Sequence, residues 1–154
     1  MKKLLLLLLL LVPVLSISQT LSGKVVAIKD GDTVVVLDSL NNQTTLRLAE
    51  VDCPEKNQPF GTKAKQFTSD QIYYKTIKYV ITDTDRYGRS IAMIYYGTDN
   101  KYLSAEIIKA GMGWHYKKYS TSKDLATFQE NAKQNKIGLW IDNNPIEPSE
   151  FRRK

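Results

Sequence analysis

The run LSGKVVAIKDGDTVVVLDS constrains the chain more than any other stretch. Leu21–Ile28 and Thr33–Leu37 are rich in residues that suit a pleated, half-buried surface, among them Val25, Val26, Val34, Val35 and Val36. Only the turn Lys29-Asp30-Gly31-Asp32 separates them. Asn41-Asn42 marks a second turn, and Thr44–Val51 reads as a third strand. Three strands joined by short turns predict a meander.

The period then changes. GTKAKQFTSDQIYYKT, from Gly61, has helix-forming content with Ala64, Phe67 and Ile72 on a partial apolar face. Ile77–Thr82 and Ser90–Tyr96 read as two further strands flanking DTDRYG. Leu103–Ala110 is expected to be a short helix ended by Gly111. Thr121-Ser122-Lys123-Asp124 has the form of a capping box opening a third helix, with Leu125, Phe128 and Ala132 inward and Gly138 closing it. Pro145, Pro148 and FRRK mark residues 143–154 as an extended basic tail. Five strands with three helices make an α+β plan. A five-stranded Greek-key barrel of the OB type fits that count, and such barrels bind nucleic acids or sugars.

The length of 154 residues suits one domain, and 42% hydrophobic content is enough for a core. Residues 1–18 are expected to be a cleaved signal peptide rather than fold, leaving a domain over 19–142. Lys2 and Lys3 precede an apolar run from Leu4 to Leu15, too short for a comfortable membrane span, and Ser16-Ile17-Ser18 supplies small residues for cleavage. The mature chain is therefore expected to be secreted or periplasmic, with no stable membrane span, and to act as a monomer. Losing Lys2 and Lys3 lowers the net charge from +6 to +4, a modest excess compatible with a polyanionic partner. Cys53 is the only cysteine, which excludes an internal disulfide and a cysteine-based zinc site within one chain.

RLAEVDCPE, at 47–55, begins as a strand and ends in Asp52 and Glu55, with Arg47 before them. Alone this could be a solvated turn, as could Asp30-Gly31-Asp32-Thr33. EF-hand readings fail, since counting from Asp83 the twelfth loop position is Ile94 rather than glutamate.

The set as a whole resembles the staphylococcal nuclease (thermonuclease) family. The resembling motifs are DGDT at 30–33, RLAEVDCPE at 47–55, NQPFGTKAKQF at 57–67, DRYGR at 85–89, AGMGW at 110–114 and GLW at 138–140. They stand in family order over about residues 22–140, and the closing NPIEPSEFRR is similar to the tail of some exported members. The resemblance implies an OB barrel with three helices that cleaves phosphodiester bonds of DNA and RNA with calcium. It implies that Asp32 and Asp52 are carboxylate metal ligands and that the backbone carbonyl of Cys53 is a third. Glu55 would orient or deprotonate the attacking water, and Arg47 and Arg89 would grip the scissile phosphate. The residue types suit that chemistry. Calcium takes hard oxygen ligands and water. An anionic phosphodiester under attack gains charge that a metal and guanidinium forks stabilise.

Tyr87 either packs across its hairpin or lies near a bound nucleotide. Trp114, Tyr116 and Tyr119 offer rings for base stacking. A family tyrosine contacts phosphate hereabouts, with Tyr119 preferred over Tyr116. His115, the only histidine, is expected to be structural or surface-lying rather than to touch substrate, and Trp140 to be core. Lys117-Lys118 and Arg152-Arg153-Lys154 are solvated surface or weak attractors of nucleic acid. Only Lys56 to Phe60 separate Glu55 from the first helix, so the longer lysine-rich loop of the best-known member is missing. Two other classes compete: a non-catalytic OB-fold nucleic-acid-binding module and an exported protein-interaction domain. Neither requires Asp32, Arg47, Asp52, Glu55 and Arg89 together.

Overall fold

The structure, a computed structural model, describes residues 19–153. The signal peptide expected over 1–18 lies outside the described residues.

Thr20–Asp30 (β1), Thr33–Leu37 (β2) and Gln43–Leu48 (β3) form the expected antiparallel meander. Thr76–Thr84 (β5) pairs with the other edge of β1, and Ser90–Tyr96 (β6) pairs with β5. β3 then meets β6 in parallel, Leu46 opposite Ser90 and Leu48 opposite Ala92, which closes a five-stranded OB-type barrel. Val25, Val34, Val36, Leu46, Leu48, Ile77, Ala92 and Ile94 point inward and are almost wholly buried. Each large aliphatic chain among them contributes about 2 kcal/mol by leaving water.

The third strand is shorter than its sequence suggests. It stops at Leu48, where Ala49 and Glu50 turn and Glu50 takes a positive φ of 66°. The chain resumes as Val51–Asp52 (β4), which pairs with Trp114–His115 (β8) rather than with the barrel. A local run of apolar residues cannot reveal such a change of partner.

Gly61–Ile72 (α1) covers the barrel, with Ala64, Thr68 and Ile72 buried. It ends before Tyr73-Tyr74, earlier than its composition allows, because Tyr74 turns at a positive φ of 59° to feed β5. A Cβ on Gly61 would collide with the carbonyl oxygen of Glu55, so only glycine lets this helix start so close to the Glu55 loop. Lys101–Tyr102 (β7) leads into Leu103–Lys109 (α2). Gly111 ends α2 as expected, in a Schellman motif: its N–H bonds to Ile108 and that of Met112 to Ile107.

Ser122 caps Lys123–Gln134 (α3) by accepting from Leu125 N at 3.3 Å. The cap is Ser122 rather than Thr121, so Asp124 falls one position short of the reciprocal half of a capping box. α3 also ends sooner than expected. Lys136, at φ 51°, makes the same Schellman closure two residues before Gly138. Gly138 instead opens a 3-10 turn, Gly138–Ile141, that seats Leu139 and Trp140 against Trp114. Trp140 is core, as expected.

The tail is not extended throughout. Pro148–Phe151 (α4) is a short fourth helix with proline in its first turn, where the missing N–H costs nothing. No helix among the described residues is long and apolar enough to cross a membrane.

Candidate active site

Four separate segments converge on a cleft of about 60 Å³ lined by Asp30, Asp32, Thr33, Arg47, Asp52, Cys53, Pro54, Glu55, Arg89 and Arg152. All five charged residues singled out by the sequence lie here. Barrel pairing brings them together. Thr33 faces Arg47 across β2 and β3, and Leu48 N donates to Asp32 O at 2.8 Å, so the DGDT turn sits over the end of β3. The β3–β6 closure then carries Arg89, one residue before β6, to the same mouth; its Nη1 reaches Thr33 Oγ1 at 3.5 Å.

Asp32 is fixed from both sides. Its Oδ2 accepts from Cys53 N at 2.8 Å and its Oδ1 from Thr33 Oγ1 at 3.1 Å. Arg47 Nη2 stands 3.2 Å from Asp32 Oδ2 and 3.0 Å from Asp52 Oδ1. Its Nη1 donates to the carbonyls of Leu48 at 2.6 Å and Val51 at 2.8 Å, so the guanidinium also staples the turn between β3 and β4. Burial opposes the charge on Arg47, but Asp32 and Asp52 outweigh it and its pKa is raised. Burial pushes the Asp52 carboxyl up, against the pull of Arg152 and Arg47.

Arg89 is held by a local frame. Asp85 Oδ1 accepts from the backbone of Tyr87 and Arg89, and Asp85 Oδ2 from Arg89 Nε at 2.7 Å. Burial works against the charge of Asp85, yet these donors hold its carboxyl below the usual range. One fork edge of Arg89 is thereby fixed.

The donor chemistry of the cleft fits a hard divalent cation. Asp32 and Asp52 offer carboxylate oxygens, and Cys53, next to Asp52 in sequence, lines the same cleft. The Cys53 thiol is not part of that set: it is buried against Gly31 and Gly113, and burial pushes its pKa well up. Among the described residues no three His, Cys, Asp or Glu side chains cluster as a ready metal cage. Two carboxylates with water and a carbonyl would not form such a cluster.

Tyr87 is 69% exposed and lies against Arg86 and Arg89, with its ring centroid 4.9 and 5.6 Å from their guanidinium carbons. Tyr116 and Tyr119 meet edge to face at 4.9 Å. Both line a groove of about 420 Å³ beside Arg47 and Asp85, and Tyr116 also lines a larger one of about 800 Å³ that touches Asp52. Arg86, Lys117, Lys118, Lys133, Arg152 and Arg153 make that larger groove basic.

His115 is buried rather than surface-lying. Its Nε2 pairs with Ser120 Oγ at 2.8 Å; Ser120 donates to Glu50 Oε1 at 2.7 Å, and Tyr102 donates to Glu50 Oε2 at 2.9 Å. The histidine therefore anchors the turn at Glu50 and stands outside the cleft.

Sequence reasoning missed three contributors. Arg152 enters the cleft from the tail. Asp85 fixes Arg89. Gln58, almost fully buried, accepts from Glu55 N at 3.1 Å and donates to Ile146 O at 2.6 Å, tying the Glu55 loop to the tail. Pro148 before Ser-Glu was a legible helix start; nothing local marked where that helix would dock.

Comparison with known proteins identifies relatives of the chain. Residues 45–142 match the family described as staphylococcal nuclease homologue. The chain is 47% identical over 131 residues to an uncharacterized endonuclease of Haemophilus influenzae, covering 85% of this chain and 72% of that protein. It is 35% identical over 141 residues to a micrococcal nuclease of Shigella flexneri, covering 85% of this chain and 80% of that protein. An uncharacterized endonuclease of Escherichia coli is 34% identical over 132 residues, with 86% of this chain and 85% of the relative covered.

Proposed function

The chain belongs to the staphylococcal nuclease family, and from that premise we propose that it is an exported, calcium-dependent endonuclease that hydrolyses DNA and RNA with little sequence preference. The observation that carries this reading is the convergence of Asp32, Arg47, Asp52, Glu55 and Arg89 on one cleft from three separate stretches of the chain. A non-catalytic binding module would have no need of that set.

In this reading Asp32, Asp52 and the carbonyl of Cys53 would hold the calcium ion, which would supply Lewis-acid stabilisation of phosphoryl charge when bound. Arg47 and Arg89 bind the non-bridging phosphate oxygens. Arg89 is oriented by Asp85 with part of its fork free, which suits a guanidinium that must meet charge developing during attack. Glu55 takes a proton from a water that bonds to phosphorus. The leaving oxygen departs with its electron pair and is protonated by solvent. Glu55 is suited to this because its side chain is 37% exposed, so water can reach it. Tyr87 and Tyr119 contact nucleotide in this reading, which their exposed rings support, and Tyr116 packs against Tyr119. The +4 charge left once the leader is removed and the basic groove of about 800 Å³ favour a polyanion. The apolar leader supports export to the periplasm or beyond, and we assign the working unit as a monomer.

Cleavage of single-stranded DNA and of RNA by the purified protein tests the reading, with calcium, with chelator, and for Glu55→Ala. Calcium-dependent cutting that vanishes in chelator and falls about a thousandfold in the variant is expected. Folded wild type that binds DNA but cuts nothing with any of several divalent ions would reduce the protein to a binding module.

A further inference from the structure

Arg152 is not placed like a surface arginine at a chain end. Its Nη2 lies 2.8 Å from Asp52 Oδ2, and its Nη1 lies 3.2 Å from Asp52 Oδ1 and 2.6 Å from Glu55 Oε1. One guanidinium thus joins both oxygens of Asp52 to Glu55, in the bidentate geometry that arginine forms best with carboxylates.

The approach is built, not incidental. Gln58 fixes Ile146 to the Glu55 loop, Pro148 is buried, and α4 then delivers Arg152, whose N–H bonds to Pro148 O at 3.0 Å. The two arginines on Asp52 nevertheless differ. Arg47 is 12% exposed and tied to two backbone carbonyls, so it cannot leave. The Arg152 side chain is 41% exposed, bonds only to carboxylates, and borders the basic groove into which it could swing.

Resting on the metal-binding reading of Asp52 given above, we propose that Arg152 is the site's resident counter-ion. It bridges Asp52 and Glu55 until a divalent ion binds, and ion and guanidinium exchange for those carboxylates. Both carry positive charge, and both use Asp52, so their occupancies exclude one another. Arg152 is a positioning residue in this scheme. It keeps two like-charged carboxylates aligned while no ion is bound, and it sets the divalent concentration at which the site opens.

Calorimetric titration of the purified protein with calcium chloride, without nucleic acid, tests this. Arg152→Ala is expected to bind calcium about tenfold more tightly than wild type, which is ~1.4 kcal/mol. Arg153→Ala removes the same charge one residue away and should change affinity less than about twofold. Unchanged or weaker binding by Arg152→Ala, or an equal gain in Arg153→Ala, would overturn the exchange. In wild type, the Nε–H resonance of Arg152 should shift on calcium addition; an unmoved resonance at saturation would overturn it without relying on a variant. Calcium binding with no Arg152 effect sinks this proposal alone. No calcium binding by any of these proteins sinks it together with the metal reading.

Discussion

Arg47 Nη2 and Asp52 Oδ1 pair at 3.0 Å although Asp52 stands five residues on, just past the end of what reads as one strand. An extended strand would separate those positions by roughly 17 Å. The turn at Ala49-Glu50 folds the chain back, and Arg47 bonds across it to Leu48 and Val51. The same guanidinium therefore builds the site's frame and serves in it.

Arg47 and Arg89 should consequently fail differently. Arg47→Ala leaves Asp32 and Asp52 buried without this partner, which costs about 3–5 kcal/mol. For a chain of this size that lowers Tm by roughly 10 °C. Arg89, 34% exposed, holds no such frame, and Arg89→Ala should move Tm by no more than about 2 °C. Both should slow cleavage on the order of a thousandfold. Melting curves beside initial rates separate the two; equal melting temperatures would refute the framing role of Arg47.

Asp85→Ala should reduce kcat/KM by about tenfold to a hundredfold while leaving Arg89 in the chain, since Arg89 loses the carboxylate that fixes its Nε. Adding the Arg89→Ala change on top should then cost much less than it does in wild type. A fully additive double variant would show the two residues acting independently.

Stability should fall on the acid side of neutrality because of His115. Burial lowers its pKa, with Glu50 pulling the other way and Lys117 adding to the fall. The folded state thus binds a proton less readily than the unfolded chain, whose histidine titrates near pH ~6.5. The contribution is complete above that value and is lost as pH falls through the lowered folded value. Urea midpoints at about pH 7.5 and about pH 5.5, on either side of that titration, should differ more in wild type than in His115→Gln.

Gly61→Ala should destabilise by about 1–3 kcal/mol, because the new Cβ meets the Glu55 carbonyl oxygen and the loop must shift. Cleavage should drop as well, since that loop carries Glu55. A variant that unfolds and cuts like wild type would show that the close approach is not required.

Binding of single-stranded DNA by Glu55→Ala should weaken with salt. Lys117→Ala with Lys118→Ala should reduce the slope of log K against log salt by up to ~1.4, about 0.7 for each phosphate that a lysine no longer neutralises. An unchanged slope would remove the basic groove from the binding path.

The strand-forming runs, three of the helices and the motifs that carry the five charged residues were legible in the sequence. Each is written locally: β-branched runs, helical spacing and short motifs act over a few residues. The tertiary structure alone decided where these pieces meet. Arg152 reaches Asp52 across 100 residues, Gln58 reaches Ile146 across 88, and Cys53 N reaches Asp32 across 21. The break of the third strand at Leu48, the burial of His115 and the short helix at Pro148–Phe151 belong to the same class. Periodicity states which face of an element is apolar. It carries no information about which distant backbone or carboxylate will satisfy a polar group, because that partner exists only once the barrel has closed and the tail has folded over its mouth.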